Sequence, residues 1–444
     1  MNEKGMNGSR WAELLESMYG ADALARARER YAALIAGFPG TDDDAPHARG
    51  GLRLFSAPGR TELAGNHTDH NRGRVLAASV QLDVAALAAR RGDGRVFVRS
   101  AGFPDTLVSL IDDAGRPDLS PKPEELGSTA ALVRGVAAGF AARGVEVGGF
   151  AASVSSDVPQ GSGLSSSAAV EVLVAKIFDC LYGGERFSAL ELARIGQEAE
   201  NVFFGKPCGL MDQVACAFGG AVAIDFADPA APAVTKVGFD PLAAGFALCV
   251  VDTRGSHADL TPDYAAIPRE MGDVARFFGK SFLREIDLPM VLSNAREIRK
   301  SAGDRALLRA IHFFDENRRV SDMAALLGEL EAARDGAGRR EIMGRVLDIV
   351  NESGDSSWEL LQNIYSPRSP GEQGLSLALA ASREFFRSRG VKAACRVHGG
   401  GFAGTAQAYV PTDALGDYRA RMEALFGDGA LTVLRVRQAG AVEM

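Results

Sequence analysis

Two glycines and four serines crowd the run Gly161-Ser162-Gly163-Leu164-Ser165-Ser166-Ser167, and residues 170–181 behind it are apolar almost all round. The spacing predicts a turn that becomes the first turn of a buried helix. A helix start carries unpaired backbone N–H groups and partial positive charge, so it is a seat for an anion. Glycines let the backbone close on a phosphate, and the hydroxyls add donors or hold a metal. A serine-capped buried helix following a glycine turn has the same sequence. The stretch alone leaves both readings open.

A second cluster lies upstream, in Arg60-Thr61-Glu62-Leu63-Ala64-Gly65-Asn66-His67-Thr68-Asp69-His70-Asn71. Polar groups at this density suit a hydroxyl-rich ligand such as a sugar, because each hydroxyl wants a donor and an acceptor. A surface loop stiffened by Asx-turns is the plainer reading. A third segment, Val397-His398-Gly399-Gly400-Gly401-Phe402-Ala403-Gly404, formally matches G-x-G-x-x-G. A dinucleotide fingerprint must open a helix, whereas residues 405–410 read as a strand. Close packing of this backbone against other backbone or a ligand is expected instead. No G-x-x-x-x-G-K-[ST], H-R-D or D-F-G run occurs.

These groups need a scaffold. At 444 residues the chain should divide into two domains of about 200 residues each. Residues 1–47 read as a helical extension, 48–228 as an N-terminal domain and 245–444 as a C-terminal one, with a seam over 229–241. Helices are predicted over 11–35, 129–143, 170–181, 187–204, 211–218, 264–278, 293–320, 323–333, 339–352, 373–390 and 415–426. Strands are predicted over 52–56 (ended by Pro58-Gly59), 75–87, 95–99, 149–155, 221–225, 245–253, 392–397, 405–410 and 431–437. They do not alternate with a βαβ cadence, so the class is α+β. A net charge of −8 and a pI near 5.5 argue against nucleic acid as a partner. No long uncharged apolar run or N-terminal signal core is present, so no membrane is expected. The five cysteines are scattered without C-x-x-C spacing, which predicts neither a disulfide framework nor a zinc cluster. A cytoplasmic protein is the simplest expectation.

Three glycine-rich motifs in this order resemble the GHMP kinases. Residues 59–76 (GRTELAGNHTDHNRGRVL) are similar to the galactokinase signature Gly-Arg-x-Asn-x-x-Gly-Glu-His-Thr-Asp-Tyr-Asn-x-Gly-x-x-Leu. Residues 161–168 resemble the loop Gly-x-Gly-Leu-Ser-Ser-Ser-Ala, and Gln197-Glu198-Ala199-Glu200-Asn201, Cys208-Gly209-Leu210-Met211-Asp212-Gln213, Asn351-Glu352-Ser353 and 399–404 match further stretches. The resemblance covers roughly residues 20–440. It implies a two-domain fold with the active site in the cleft, and an ATP-dependent sugar 1-kinase using Mg²⁺. Asp212 would be the base that takes the proton of the anomeric hydroxyl, and Arg60 would keep it ionised and stabilise negative charge. Gly161, Ser162, Gly163, Leu164, Ser165, Ser166 and Ser167 would hold ATP. Ser167 and Glu200 would ligate the metal. Asn66, His67, Thr68 and Asp69 would line the sugar site, closed by Tyr264, with adenine in an apolar cleft further out.

Galactose is the expected sugar, with sugar and ATP as the partners of a monomer. Two departures bear on it: Asn66 stands where the family has Glu, and His70 where it has Tyr. Glu would accept a hydrogen bond from the sugar's primary hydroxyl, while Asn offers donor and acceptor. Asn66 would thus also tolerate galacturonate or L-arabinose. Ser366-Pro367-Arg368-Ser369-Pro370 replaces the usual Cys-Pro-Glu-Leu-Asp run, placing a cation where an acid is common. A non-catalytic sugar-binding regulator on the same fold is the alternative of a different class.

Overall fold

The computed structural model describes residues 9–38, 48–159, 163–255 and 260–444. Their strands form two sheets. The first contains β1 (Ala48–Ala64), β2 (Arg74–Arg91), β3 (Arg95–Ser100), β4 (Thr106–Ser109), β5 (Gly149–Ser156), β6 (Ala221–Asp225) and β7 (Ala233–Val237). The second is antiparallel, ordered β11-β8-β10-β9, from β8 (Phe246–Asp252), β9 (Ala394–Val397), β10 (Thr405–Pro411) and β11 (Leu431–Leu434). A last short strand, β12 (Val442–Glu443), returns to β1 in the first sheet.

β2 organises the first sheet. It is buried along most of its length because its residues are small and apolar on both faces, as in Val75-Leu76-Ala77-Ala78 and Val84-Ala85-Ala86-Leu87-Ala88-Ala89. β1 lies along one edge; on the other edge, the first part of β2 pairs β6 and the second part pairs β5. β1 is far longer than the expected 52–56. Pro58-Gly59 does not end it, because the register shifts there, from Pro58 opposite Asp83 to Arg60 opposite Ser79. A bulge tolerates the missing proline N–H and re-aims the side chains that follow. Gly59 is needed at this bend: a Cβ there would stand 2.8 Å from the Leu164 carbonyl oxygen.

The apolar helix Ser166–Phe178 packs under the first sheet with Thr129–Ala142 and Ala189–Glu198. Ala189–Glu198 begins with a capping box between Ser188 and Glu191 and widens into a π-helical turn over Ala199–Phe204. The two helices expected over 293–320 and 323–333 are instead Ala295–Ser301 and one long helix, Asp304–Ala332, split at Gly303. β7 forms within the stretch read as a seam. One apolar core runs from the first sheet through Asp304–Ala332 and Gly336–Ser356 to Ala394, Tyr409 and Leu434 of the second lobe. The lobes are therefore joined by packing as well as by chain.

Helices Ser9–Tyr19 and Leu24–Ala36 cover the outer face of β1 and β2 through Trp11, Leu15, Tyr31 and Leu34. Beneath them the buried Asp83 carboxylate accepts from Tyr19 Oη (2.6 Å), Arg30 Nη1 (2.5 Å), Arg437 Nη1 (2.9 Å) and Ser56. Charge on two sides and hydrogen bonds satisfy an acid that burial alone would protonate. Arg30 also reaches Asp157 (3.1 Å) and the Ser155 carbonyl (2.7 Å), tying the helices to the strand that leads into the serine loop. All five cysteines are free. No helix of the described residues is long and apolar enough to cross a membrane.

Candidate active site

The bulge at Pro58–Arg60 turns Arg60 inward onto the start of helix Met211–Phe218. Its Nε and Nη2 each donate to one oxygen of Asp212 at 2.7 Å, a bidentate fork. Arg60 also donates through Nη1 to the Gly163 carbonyl, and its backbone N–H to the Leu164 carbonyl at 3.0 Å. The strand carrying Arg60 is thus sewn to the serine loop. Burial pushes the Asp212 carboxyl up, but the charge and hydrogen bonds of Arg60, with the Ser165 hydroxyl, outweigh it and hold the group below its ordinary value. The Asp212 side chain keeps 30% of its surface open. It is an ionised acceptor facing free space.

Ser165 bears on the two readings of the serine loop. It is the N-cap of helix Ser166–Phe178, yet its side chain makes no capping bond and donates to Asp212 Oδ2 instead. Its φ of 56° is left-handed, a conformation costing about 1–3 kcal/mol for a non-glycine residue and stored where function needs it. The helix start is therefore left without a side-chain cap, which is what an incoming anion requires. Gly163, Leu164, Ser166 and Ser167 flank this point; Gly161 and Ser162 lie outside the described residues.

Ser167 Oγ donates to Glu200 Oε1 at 3.4 Å, so the two expected metal ligands meet. Glu200 comes from the π-helical turn and is 2% exposed, with Lys206 Nζ at 3.1 Å from Oε1. Gln213 Nε2 bridges Glu200 Oε2 (3.0 Å) and Glu171 Oε2 (2.9 Å). Glu171 Oε1 is buried without a hydrogen-bond partner. Burial and the Glu200 charge push the Glu171 carboxyl well up. Hard oxygen donors in excess of their protein partners fit a small divalent cation such as Mg²⁺.

The loop expected to line the sugar site divides into inward and open residues. Asn66 is wholly buried: Nδ2 donates to Gly399 O (2.7 Å) and to Glu62, and Oδ1 accepts from Asn363 Nδ2 (2.8 Å). Thr68, also buried, donates to Arg74 O at 2.5 Å and holds the turn. His67 Nε2 donates to Gly400 O at 2.9 Å, and its ring stacks on His70. Burial and His70 bring the His67 pKa down to about 4. Asp69 accepts from the His70 N–H at 3.0 Å and lies against Gly209, three residues before Asp212 in the chain. Tyr264, from helix Thr261–Phe277, donates to Gly401 O at 3.0 Å. Arg368, in the departing run, pairs with Asp263 at 2.8 Å, next to Tyr264.

The glycine turn between β9 and β10 is the meeting point, as its rejected fingerprint implies. Its carbonyls accept from Asn66, His67, Asn363 and Tyr264, reaching across both lobes. His398 contacts Thr61 at 3.0 Å. Sequence reasoning missed Glu62, Arg396, Asn363, Glu171 and Gln213. Glu171 left a signal, an acid inside the apolar run 168–178. Glu62 left another, since the signature has Asn at that position and Glu at 66, the reverse of this chain.

A model of the GHMP kinases N terminal domain matches residues 126–220, and the galactokinase galactose-binding signature matches 47–90. A galactokinase of Streptomyces coelicolor is 34% identical over 278 residues, covering 62% of this chain and 68% of the relative. The crystal structure of Lactococcus lactis galactokinase complexed with galactose aligns with a TM-score of 0.73 at 23% identity, over 95% of this chain and all of that one. Methanococcus jannaschii mevalonate kinase aligns with a TM-score of 0.53 at 13% identity, over 87% of this chain and 99% of the other.

Proposed function

This chain belongs to the galactokinase family of the GHMP kinases and is a sugar kinase, and on that premise we propose that it phosphorylates galactose at the anomeric hydroxyl with ATP. The observation that carries the reading is the triad of Arg60, Ser165 and Asp212, in which strand, phosphate loop and acid share one carboxylate. Asp212 accepts the proton of the anomeric hydroxyl as its oxygen attacks the γ-phosphorus; the bond to the leaving ADP oxygen breaks. Arg60 keeps Asp212 ionised and offsets the charge that develops on the transferring group. The uncapped start of Ser166–Phe178 and the residues 161–167 hold the triphosphate.

Mg²⁺ would be held by Ser167 and Glu200 and would neutralise phosphate charge when bound. Gln213 keeps Glu200 oriented for that role. His67, Asp69 and Tyr264 present the sugar to Asp212, with Thr68 holding their turn. Five free thiols suit a reducing cytoplasm, where we place the protein as a monomer of two domains.

The test is ATP consumption with galactose, galacturonate, L-arabinose and glucose, with the phosphorylated carbon located by NMR. Galactose 1-phosphate is expected as the main product. Faster turnover of galacturonate or L-arabinose would reassign the substrate. Sugar binding without turnover of any sugar would make the chain a regulator.

A further inference from the structure

Glu62 sits on β1 with its carboxylate buried against Arg396 of β9. Arg396 is itself fully buried and also donates to the Leu63 carbonyl (2.9 Å) and the Val397 carbonyl (3.1 Å). One turn of chain later, Asn66 Nδ2 lies 3.1 and 3.3 Å from the two Glu62 oxygens and 2.7 Å from Gly399 O. An amide nitrogen has two hydrogens, and acceptors on both sides use them. The Asn66 carbonyl takes the Asn363 hydrogen, and its backbone oxygen accepts from His312 Nε2 at 2.9 Å. Asn66 is 0% exposed and every polar atom of its side chain is bound within the protein.

We propose that Glu62 is a positioning residue for the sugar loop, and that residues 62 and 66 form a matched acid–amide pair that braces the loop against the glycine turn of the second lobe. The inference rests on the reading that this loop binds sugar. An acid at 66 beside Glu62 would turn acceptor against acceptor: the Glu62 carboxylate would keep Arg396 but lose the Asn66 hydrogen, and the Gly399 carbonyl would lose its own, at a position that is 0% exposed. An amide at 62 beside Asn66 would leave Arg396 buried without its countercharge. Each single change therefore breaks the brace. Exchanging both keeps one acid and one amide in the pair, so that donor again faces acceptor within it. The loop's open residues, His67 and Asp69, follow Asn66 directly, so a displaced brace moves the sugar contacts while the ATP side stays in place.

The experiment is a cycle of Glu62→Asn, Asn66→Glu and the double exchange, read by thermal stability without ligands and by sugar and ATP KM with kcat. Each single variant is expected to lower Tm and to raise sugar KM about ten-fold or more, with ATP KM within about two-fold of the parent. The double variant should return to within about three-fold of the parent in sugar KM and recover most of the lost Tm. Additive losses in the double variant, or an Asn66→Glu protein with parental sugar KM, overturn the proposal. If the singles do not fold, a folded double supports it and an unfolded double overturns it. A parent chain that turns over no sugar sinks the functional reading alone, since the Tm cycle is still read.

Discussion

The Asp69 carboxylate lies so close to Gly209 that a Cβ on that glycine would stand 1.8 Å from Asp69 Oδ2. The backbone two residues before Met211 thus meets a side chain of the proposed sugar loop. A Gly209→Ala protein should fold, because the atom in the way is the end of a rotatable side chain. Its Asp69 must swing aside, and sugar KM should rise about ten-fold or more while ATP KM holds. Unchanged sugar KM would remove Asp69 from the sugar site.

Asp212→Asn keeps the size of the side chain and removes the proposed base. Turnover should fall by about 10²–10⁴, with ATP binding by calorimetry retained. A protein that keeps its kcat has its base elsewhere.

Arg60→Ala should cost about 100-fold or more in kcat and also reshape the pH profile. The proposed base must be ionised, and Arg60 is the main charge holding the Asp212 pKa below the ordinary value against burial. Without Arg60 that pKa rises, so the acid limb of the kcat profile should move to higher pH. A limb that stays in place or moves lower contradicts the assignment.

Chelation of divalent cations should stop turnover and Mg²⁺ should restore it. Glu200→Gln keeps a hydrogen-bonding oxygen but loses the charge, and should raise the Mg²⁺ needed for half-maximal rate about 10–100-fold. A parental Mg²⁺ requirement would take Glu200 out of the metal site.

Glu316 gives a pH dependence of stability. Buried on Asp304–Ala332, it accepts from the Gly65 N–H (3.0 Å), Ser353 Oγ (2.7 Å) and Arg319 (2.7 Å). Burial pushes its carboxyl up, but His312, Arg396, Arg319 and Ser353 bring it down to about 2. A depressed pKa stabilises above the unfolded value and loses that contribution as pH falls through the folded one, at about 1.4 kcal/mol per unit. Urea midpoints should therefore drop from about pH 5 toward pH 2, and Glu316→Gln should flatten that slope. An unchanged slope would rule Glu316 out as its source.

The residues that reach the cleft were legible in sequence through the resemblance of their motifs to a known family. Arg60, Asp212, Ser167 and Glu200 are brought together as their motifs imply, and the helices at 129–142, 189–198 and 211–218 follow the apolar spacing closely. What was not legible depends on partners distant in the chain. Pro58-Gly59 carries a turn's composition, yet a neighbouring strand and the Leu164 carbonyl keep it in a sheet. β7 has little apolar alternation and exists because β6 offers an edge. Asn66 reads as a ligand contact by type, while Glu62, Asn363 and Gly399 absorb its hydrogen bonds from positions up to 333 residues away.

The buried Asp83 has a consequence for how the chain is made. Its second cation, Arg437, follows it by 354 residues, about 20–70 s of ribosomal elongation at 5–20 residues per second. Until then the carboxylate has Arg30, Tyr19 and Ser56 but lacks half of its compensating charge, and the edge of β1 opposite Val442–Glu443 is bare. The first lobe therefore waits, half-neutralised and with an open edge, for residues that are synthesised after the second lobe, so nascent chains stalled before Arg437 should be cut readily by protease within residues 9–64.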